Sequence, residues 1–258
     1  MNKNLFDLTD KVIIVTGGAG LLGEKFCESL IDYGAKVVIA DINYKKAKKL
    51  EKKLGNNSFA IKTDITSEKS IRNMKNKVLD KYQNIEVLIN NAYPRNENYG
   101  VKFEDIDIED WRENVDLHLN GYFAISKIIS EVMIEQNYGD IINLGSIYGI
   151  QGPDFNIYEG TKMTSPAEYS AIKGGIINFT RYLASYLGEY NIRVNTISPG
   201  GIFDNQNEKF VEKYADNTPL NRMADPKDLK GTIVFLASDA SNYITGHNLV
   251  VDGGWTIC

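Results

Sequence analysis

The stretch Thr16-Gly17-Gly18-Ala19-Gly20-Leu21-Leu22-Gly23 does most to restrict what this chain can become. It follows the apolar run Val12–Thr16, which reads as a buried parallel strand, and it leads into a helical periodicity. Glycines at 17, 20 and 23 permit a tight turn and let backbone approach a pyrophosphate, whose charge a helix N-terminus favours. The same alternation then repeats along the chain. Strands are read at Lys36–Ala40, Ser58–Lys62, Val87–Asn90, Asp140–Leu144, Arg193–Ile197 and Asn248–Val251. Helices are read near 21–33, 43–54, 67–82, 109–136, 168–188 and 226–238. The pattern predicts an α/β fold, a Rossmann-type doubly wound parallel sheet between two helical layers. No repeat, linker or low-complexity segment divides it, so residues 1–258 are expected to form a single domain. Two stretches, 151–167 and 201–218, match no element. Loops of that length in a compact domain are commonly functional, and these are expected to cover a substrate.

Composition narrows the partners. With 43% hydrophobic and 24% charged residues the chain is an ordinary soluble protein. A net charge of -5 gives no footprint for nucleic acid, and the run Lys45, Lys46, Lys48, Lys49, Lys52, Lys53 reads as one solvated helix face. No apolar run is long enough to span a bilayer, and Met1-Asn2-Lys3-Asn4 opens no signal segment. Cys27 and Cys258 supply neither a disulfide framework nor a metal set and suit a reducing compartment. The expectation is a cytoplasmic protein acting on a small molecule, with no metal, membrane or nucleic acid involved.

Tyr169-Ser170-Ala171-Ile172-Lys173 is the candidate for chemistry. A tyrosine and a lysine four positions apart share one helix face. A free phenol titrates near pH 10, and a neighbouring ammonium favours its ionised form, moving it toward useful acid–base work. The upstream copy Tyr158-Glu159-Gly160-Thr161-Lys162 contains a glycine and precedes loop-like Thr164-Ser165-Pro166, so Tyr158 is assigned to a substrate loop instead. Asp41, at the end of the second strand, is placed to accept hydrogen bonds from both hydroxyls of an adenosine ribose and to repel a 2′-phosphate. It predicts NAD; Lys45 and Lys46 lie near enough to leave NADP possible. The plainer role for Asp41 is a cap for the helix that starts at Asn43.

Taken together these motifs resemble the short-chain dehydrogenase/reductases, in their compact single-domain branch. The resemblance runs through the glycine turn, Asp64, Asn90-Asn91-Ala92, Gly145-Ser146 and Tyr169…Lys173. It continues through Ser198-Pro199-Gly200-Gly201, Pro219-Leu220-Asn221-Arg222-Met223, Ile244-Thr245-Gly246 and Val251-Asp252-Gly253-Gly254. It implies a sheet of about seven strands and a homotetramer or dimer. Ser146 would orient the substrate oxygen, Tyr169 would exchange its proton, and Lys173 would hold the nicotinamide ribose. Cofactor contacts are implied at Gly17, Gly20, Leu22, Gly23, Asp41, Asp64, Ile65, Asn90, Ala92, Tyr169, Lys173, Pro199, Gly200 and Ile202.

Three departures from the family pattern matter. Leu21 stands where the middle glycine is expected, and the resulting spacing is that of the longer epimerase and dehydratase branch. His118, in His118-Leu119-Asn120-Gly121-Tyr122-Phe123, stands where the family has a relay asparagine; its two ring nitrogens suit the same relay, or it is simply a packed helix residue. The segment between Ser146 and Tyr169 is extended and carries Tyr158 and Lys162, and Tyr93-Pro94-Arg95 replaces a glycine. Arg95 and Lys162 are candidates to hold an anionic or strongly hydroxylated substrate. The looser similarity is to enzymes of surface-sugar and flagellin-glycan pathways. The leading expectation is an NAD-dependent dehydrogenase of a sugar or polyol. The alternatives are an NAD-retaining epimerase or dehydratase, and a catalytically silent nucleotide-binding protein.

Overall fold

The computed structural model describes residues 4–258; Met1–Lys3, part of the start read above, lie outside it. Seven parallel strands form one sheet in the order β3-β2-β1-β4-β5-β6-β7: β1 (Val12–Thr16), β2 (Lys36–Asp41), β3 (Ser58–Lys62), β4 (Val87–Asn90), β5 (Gly139–Leu144), β6 (Ile192–Pro199) and β7 (Asn248–Val251). The direction of winding reverses between β1 and β4, and ligand clefts form at the carboxyl ends of strands beside such a reversal.

Alternation along β1 shows how both faces are buried. Val12 and Ile14 pack with Ile71, Met74, Ile129 and Ile176, from α3 (Glu68–Tyr82), α5 (Gly121–Gln136) and α6 (Ala167–Leu187). Ile13 and Val15 pack on the other face with Phe26, Leu30, Ile233 and Val234, from α1 (Leu21–Asp32) and α8 (Lys230–Ala237). Side-chain caps set several helix starts: Asn43 accepts from the Lys46 N–H ahead of α2 (Tyr44–Leu54), and Ser67 accepts from the Ser70 N–H ahead of α3. The lysine run lies on α2, where Lys53 pairs with Glu24 and Glu28 of α1 at 2.7 and 2.8 Å. Among the described residues, no helix is long and apolar enough to cross a membrane.

Two features differ from the expectation. The stretch 201–218 is not a bare loop: Asn207 caps α7 (Glu208–Asp216), which buries Phe210 and Tyr214 one turn apart. The helix expected over 109–136 contains a π-helical turn, Asp116–Asn120, between α4 (Ile108–Val115) and α5. The extra residue of such a turn leaves the apolar spacing almost unchanged, so periodicity does not reveal it.

A third cluster joins the two decorated segments. Ile147, Ile157, Phe210, Tyr214, Met223 and Trp255 form it, with Tyr214 and Trp255 stacked at 4.2 Å. Lys213 of α7 donates to the Asn156 carbonyl at 2.7 Å and pairs with Glu159 at 3.2 Å. The segment 151–167 is therefore packed onto α7 through side chains and clipped by one lysine.

Candidate active site

At the carboxyl end of β1 the chain turns with Gly17 at φ +59°, a left-handed conformation that favours glycine. A Cβ there would also stand 2.9 Å from the Ala92 Cα, because the turn packs directly on the end of β4. Gly23 acts by shape: a Cβ would come within 2.1 Å of the Gly17 carbonyl oxygen, so only glycine lets α1 approach the turn. Leu21 is tolerated because it is the first residue of α1, with right-handed backbone that needs no glycine. The Gly20 cap contributes no side chain, leaving the first N–H groups of α1 facing the cleft.

The cleft measures about 810 Å³ and runs along the strand ends. Gly17, Gly20, Leu22, Asp41, Asp64, Ile65 and Ala92 line one end, and Ser146, Tyr169, Lys173, Pro199, Gly200 and Ile202 line the middle. Asp41 Oδ2 accepts from the Ala19 N–H at 3.0 Å and Oδ1 from the Asn43 N–H at 2.8 Å. It thus braces the glycine turn and leads into α2, and each oxygen keeps capacity for a further donor. Asp64 is more committed, since one oxygen accepts from both the Thr66 N–H and hydroxyl.

Asn90 does not reach the cleft. It is fully buried, donating to Ser126 Oγ at 2.9 Å and Asn143 Oδ1 at 2.8 Å, and so ties β4 to α5 and β5. Its neighbour Asn91 lines the cleft and donates to the Thr16 and Gly17 carbonyls. The direction change at the end of β4 brings the second asparagine forward, so the expected Asn90 contact is corrected to Asn91 as the turn's support.

Around the catalytic candidates burial dominates the electrostatics. Lys173 Nζ donates to the Leu144 carbonyl at 2.7 Å, and the rings of Tyr93, Tyr122 and Tyr169 stand 5.8, 5.8 and 5.6 Å from it. Burial pushes this ammonium down to about 7. Burial also holds the Tyr169 phenol well above its usual value, opposed by the Ser146 hydroxyl, which favours the phenolate. Burial acts on both groups against the acidification that their spacing suggests, favouring the neutral form of the phenol and of the lysine. Ser146 itself is buried and set by its Oγ accepting the Tyr148 N–H at 3.2 Å.

His118 sits in the π-helical turn behind this group. It is buried, with its ring 5.1 Å from both Tyr93 and Tyr122, and its Nε2 has no partner. Burial, and then the Lys173 charge, push it well below the usual histidine range, so it is neutral. It does not line the cleft.

On the substrate side, Tyr158 and Arg95 line the cleft, whereas Lys162 is exposed and does not. Sequence reasoning missed Tyr148, whose hydroxyl lies 3.3 Å from that of Tyr158, and it missed Phe210, Tyr214 and Met223. The four-residue spacing of Phe210 and Tyr214 was the available signal; Tyr148 offered none.

Comparison with known proteins agrees with this geometry. Residues 18–256 match the family model described as enoyl-(acyl carrier protein) reductase. Post-translational flagellin modification protein A of Campylobacter coli is 38% identical over 253 residues, covering 96% of this chain and 99% of the relative. The 7alpha-hydroxysteroid dehydrogenase of Bacteroides fragilis is 33% identical over 256 residues, covering 96% and 95%. A crystal structure of a short chain dehydrogenase from Leptospira borgpetersenii with bound NAD+ superposes with a TM-score of 0.87 at 38% identity, covering 99% and 97%. Fold, cleft and relatives agree, and the chain belongs to the short-chain dehydrogenase/reductase family of oxidoreductases.

Proposed function

We propose that this protein is an NAD-dependent dehydrogenase of a secondary alcohol, or a reductase of its ketone, on a sugar or sugar-derived polyol. The observation that carries the reading is the convergence of Ser146, Tyr169 and Lys173 in one buried pocket of a cleft whose other end is the glycine turn and Asp41. The open N–H groups of α1 suit a diphosphate, and both Asp41 oxygens retain capacity for ribose hydroxyls. When bound, NAD supplies the hydride acceptor. The chain's own part is proton handling. Ser146 orients the substrate oxygen and donates where charge develops. Tyr169 takes the hydroxyl proton and returns it in the reverse direction. Lys173 holds the nicotinamide ribose beside the phenol.

The sugar assignment is supported by the Tyr148 and Tyr158 hydroxyls beside the reacting position and by the relative named for flagellin modification. An epimerase or dehydratase would recycle its cofactor, so net NADH formation separates that reading from this one. Phe123, Tyr182 and Tyr186 leave an apolar face on α5 and α6, which supports a homo-oligomer, a dimer or tetramer; light scattering at a monomer's mass would contradict it. The free cysteines, Cys27 buried and Cys258 exposed, support a cytoplasmic setting.

Tyr169→Phe is expected to lower kcat by roughly two to four orders of magnitude, the range for loss of a general acid–base group, with NADH binding retained. NADH should also have a lower KM than NADPH. Wild-type turnover in the variant would remove Tyr169 from the mechanism.

His118 is proposed as a positioning residue, its unpartnered Nε2 marking where a bridging water would pass protons toward Lys173. His118→Asn should keep the wild-type pH–rate profile and His118→Ala should shift it. Identical profiles for both would leave His118 a packing residue.

Lys173 also makes a stability prediction. The unfolded lysine keeps its proton to about pH 10.4, whereas the folded one loses it above about 7. Between those limits the unfolded chain binds the extra proton, so this group makes folding easier as pH rises. Denaturant unfolding of Lys173→Met should give higher stability than wild type at pH 7 and a shallower rise toward pH 9. A parallel rise in both proteins would show that Lys173 stays charged in the fold.

A further inference from the structure

Tyr93-Pro94-Arg95 follows β4 where the family has a glycine, and it builds something at the mouth of the cleft. The Tyr93 ring stands 5.8 Å from the Tyr169 ring and 5.1 Å from His118, and its hydroxyl donates to Tyr99 Oη at 2.5 Å. The ring is thus fixed at its edge and at its tip. The Arg95 guanidinium lies over it at 5.0 Å and over Tyr99 at 5.9 Å. Pro94, between them, has a fixed φ and limits how far the arginine can swing.

Ion pairing sets Arg95 apart. Of the chain's arginines, Arg72, Arg112, Arg193 and Arg222 pair with Glu68, Glu109, Asp140 and Asp228. Among the described residues, Arg95 and Arg181 have no such partner, and of these two only Arg95 lines the cleft. A guanidinium stacked on two rings has already lost much of its rotamer freedom, so binding an anion costs it less ordering. Its planar fork matches a carboxylate or phosphoryl group with two parallel hydrogen bonds. A single aromatic ring separates it from Tyr169, so the anion it holds belongs to the same small molecule as the reacting carbon.

We propose that Arg95, braced on Tyr93 and Tyr99, is the specificity residue of this site and takes a carboxylate or phosphoryl group on the polyol substrate. The inference rests on the proposed polyol dehydrogenase activity and narrows it to an anionic member of that class. Lys162, outside the cleft, has no part in it.

The test uses matched neutral and anionic probes: glucose, gluconate and glucose 6-phosphate, then glycerol, glycerate and glycerol 3-phosphate. Each is assayed for turnover with NAD and for thermal stabilisation of the NAD-loaded protein, in wild type, Arg95→Gln and Arg95→Lys. The expected result is preference for one anionic form, lost by roughly ten- to a hundredfold in kcat/KM in Arg95→Gln and partly restored in Arg95→Lys. The neutral probes and the NADH affinity should be unchanged. Carboxylate and phosphoryl arms tell the two sources of the anion apart. Arg95-dependent stabilisation by an anion without turnover would support the site while the polyol dehydrogenase reading fails. Equal losses for neutral and anionic probes, or no effect of Arg95 on any anion, would overturn the proposal. Lost NADH affinity would overturn the proposal by reassigning Arg95 to the cofactor's diphosphate.

Discussion

The site is built around one buried ammonium, that of Lys173. Lys173 is held by a single carbonyl, Leu144, at the end of β5, and otherwise by the faces and edges of tyrosines. Burying a cation this way is costly, and the cost appears as the fall of its pKa to about 7. The surroundings offset it only in part, through one strong hydrogen bond and weak ring attraction. What remains is a lysine whose burial moves its titration toward neutral pH.

That arrangement holds only if β5 and α6 keep their relation. A buried polar chain does this work: Asn90 links β4 to Asn143 of β5, Asn143 donates to Thr180 of α6, and Thr196 of β6 donates to the same hydroxyl. Three strands and the helix bearing Tyr169 and Lys173 are thereby locked in register by side chains, in addition to the backbone ladder. Asn90 contributes to the site through this lock and at a distance from the cleft.

Most of the fold was legible because parallel strands buried on both faces write continuous apolar runs, and β1, β3, β4 and β7 were read at their observed limits. The meeting of Tyr169, Lys173, Ser146 and Asp41 in one cleft was legible from their helical spacing and strand-end positions. The remainder depended on packing that one dimension does not record. A π-helical turn places His118 behind Tyr93, and α7 was hidden because nine residues between loops give only one apolar repeat. The Tyr169–Lys173 spacing paired the two side chains but could not record their burial, which raises the phenol and lowers the ammonium. Lys162 and Arg95 looked alike in sequence and both are exposed, but only Arg95, in the turn after β4, lines the cleft.

The third apolar cluster has a consequence for how such a protein can change. Trp255, at the very end of the chain, stacks on Tyr214, and Tyr214 reaches back to the Gly201 N–H at 2.5 Å. The cleft walls built from this cluster therefore share almost no side chains with the two large cores under the sheet. A substitution in this cluster can therefore reshape the cleft wall without repacking either of the cores that hold the sheet.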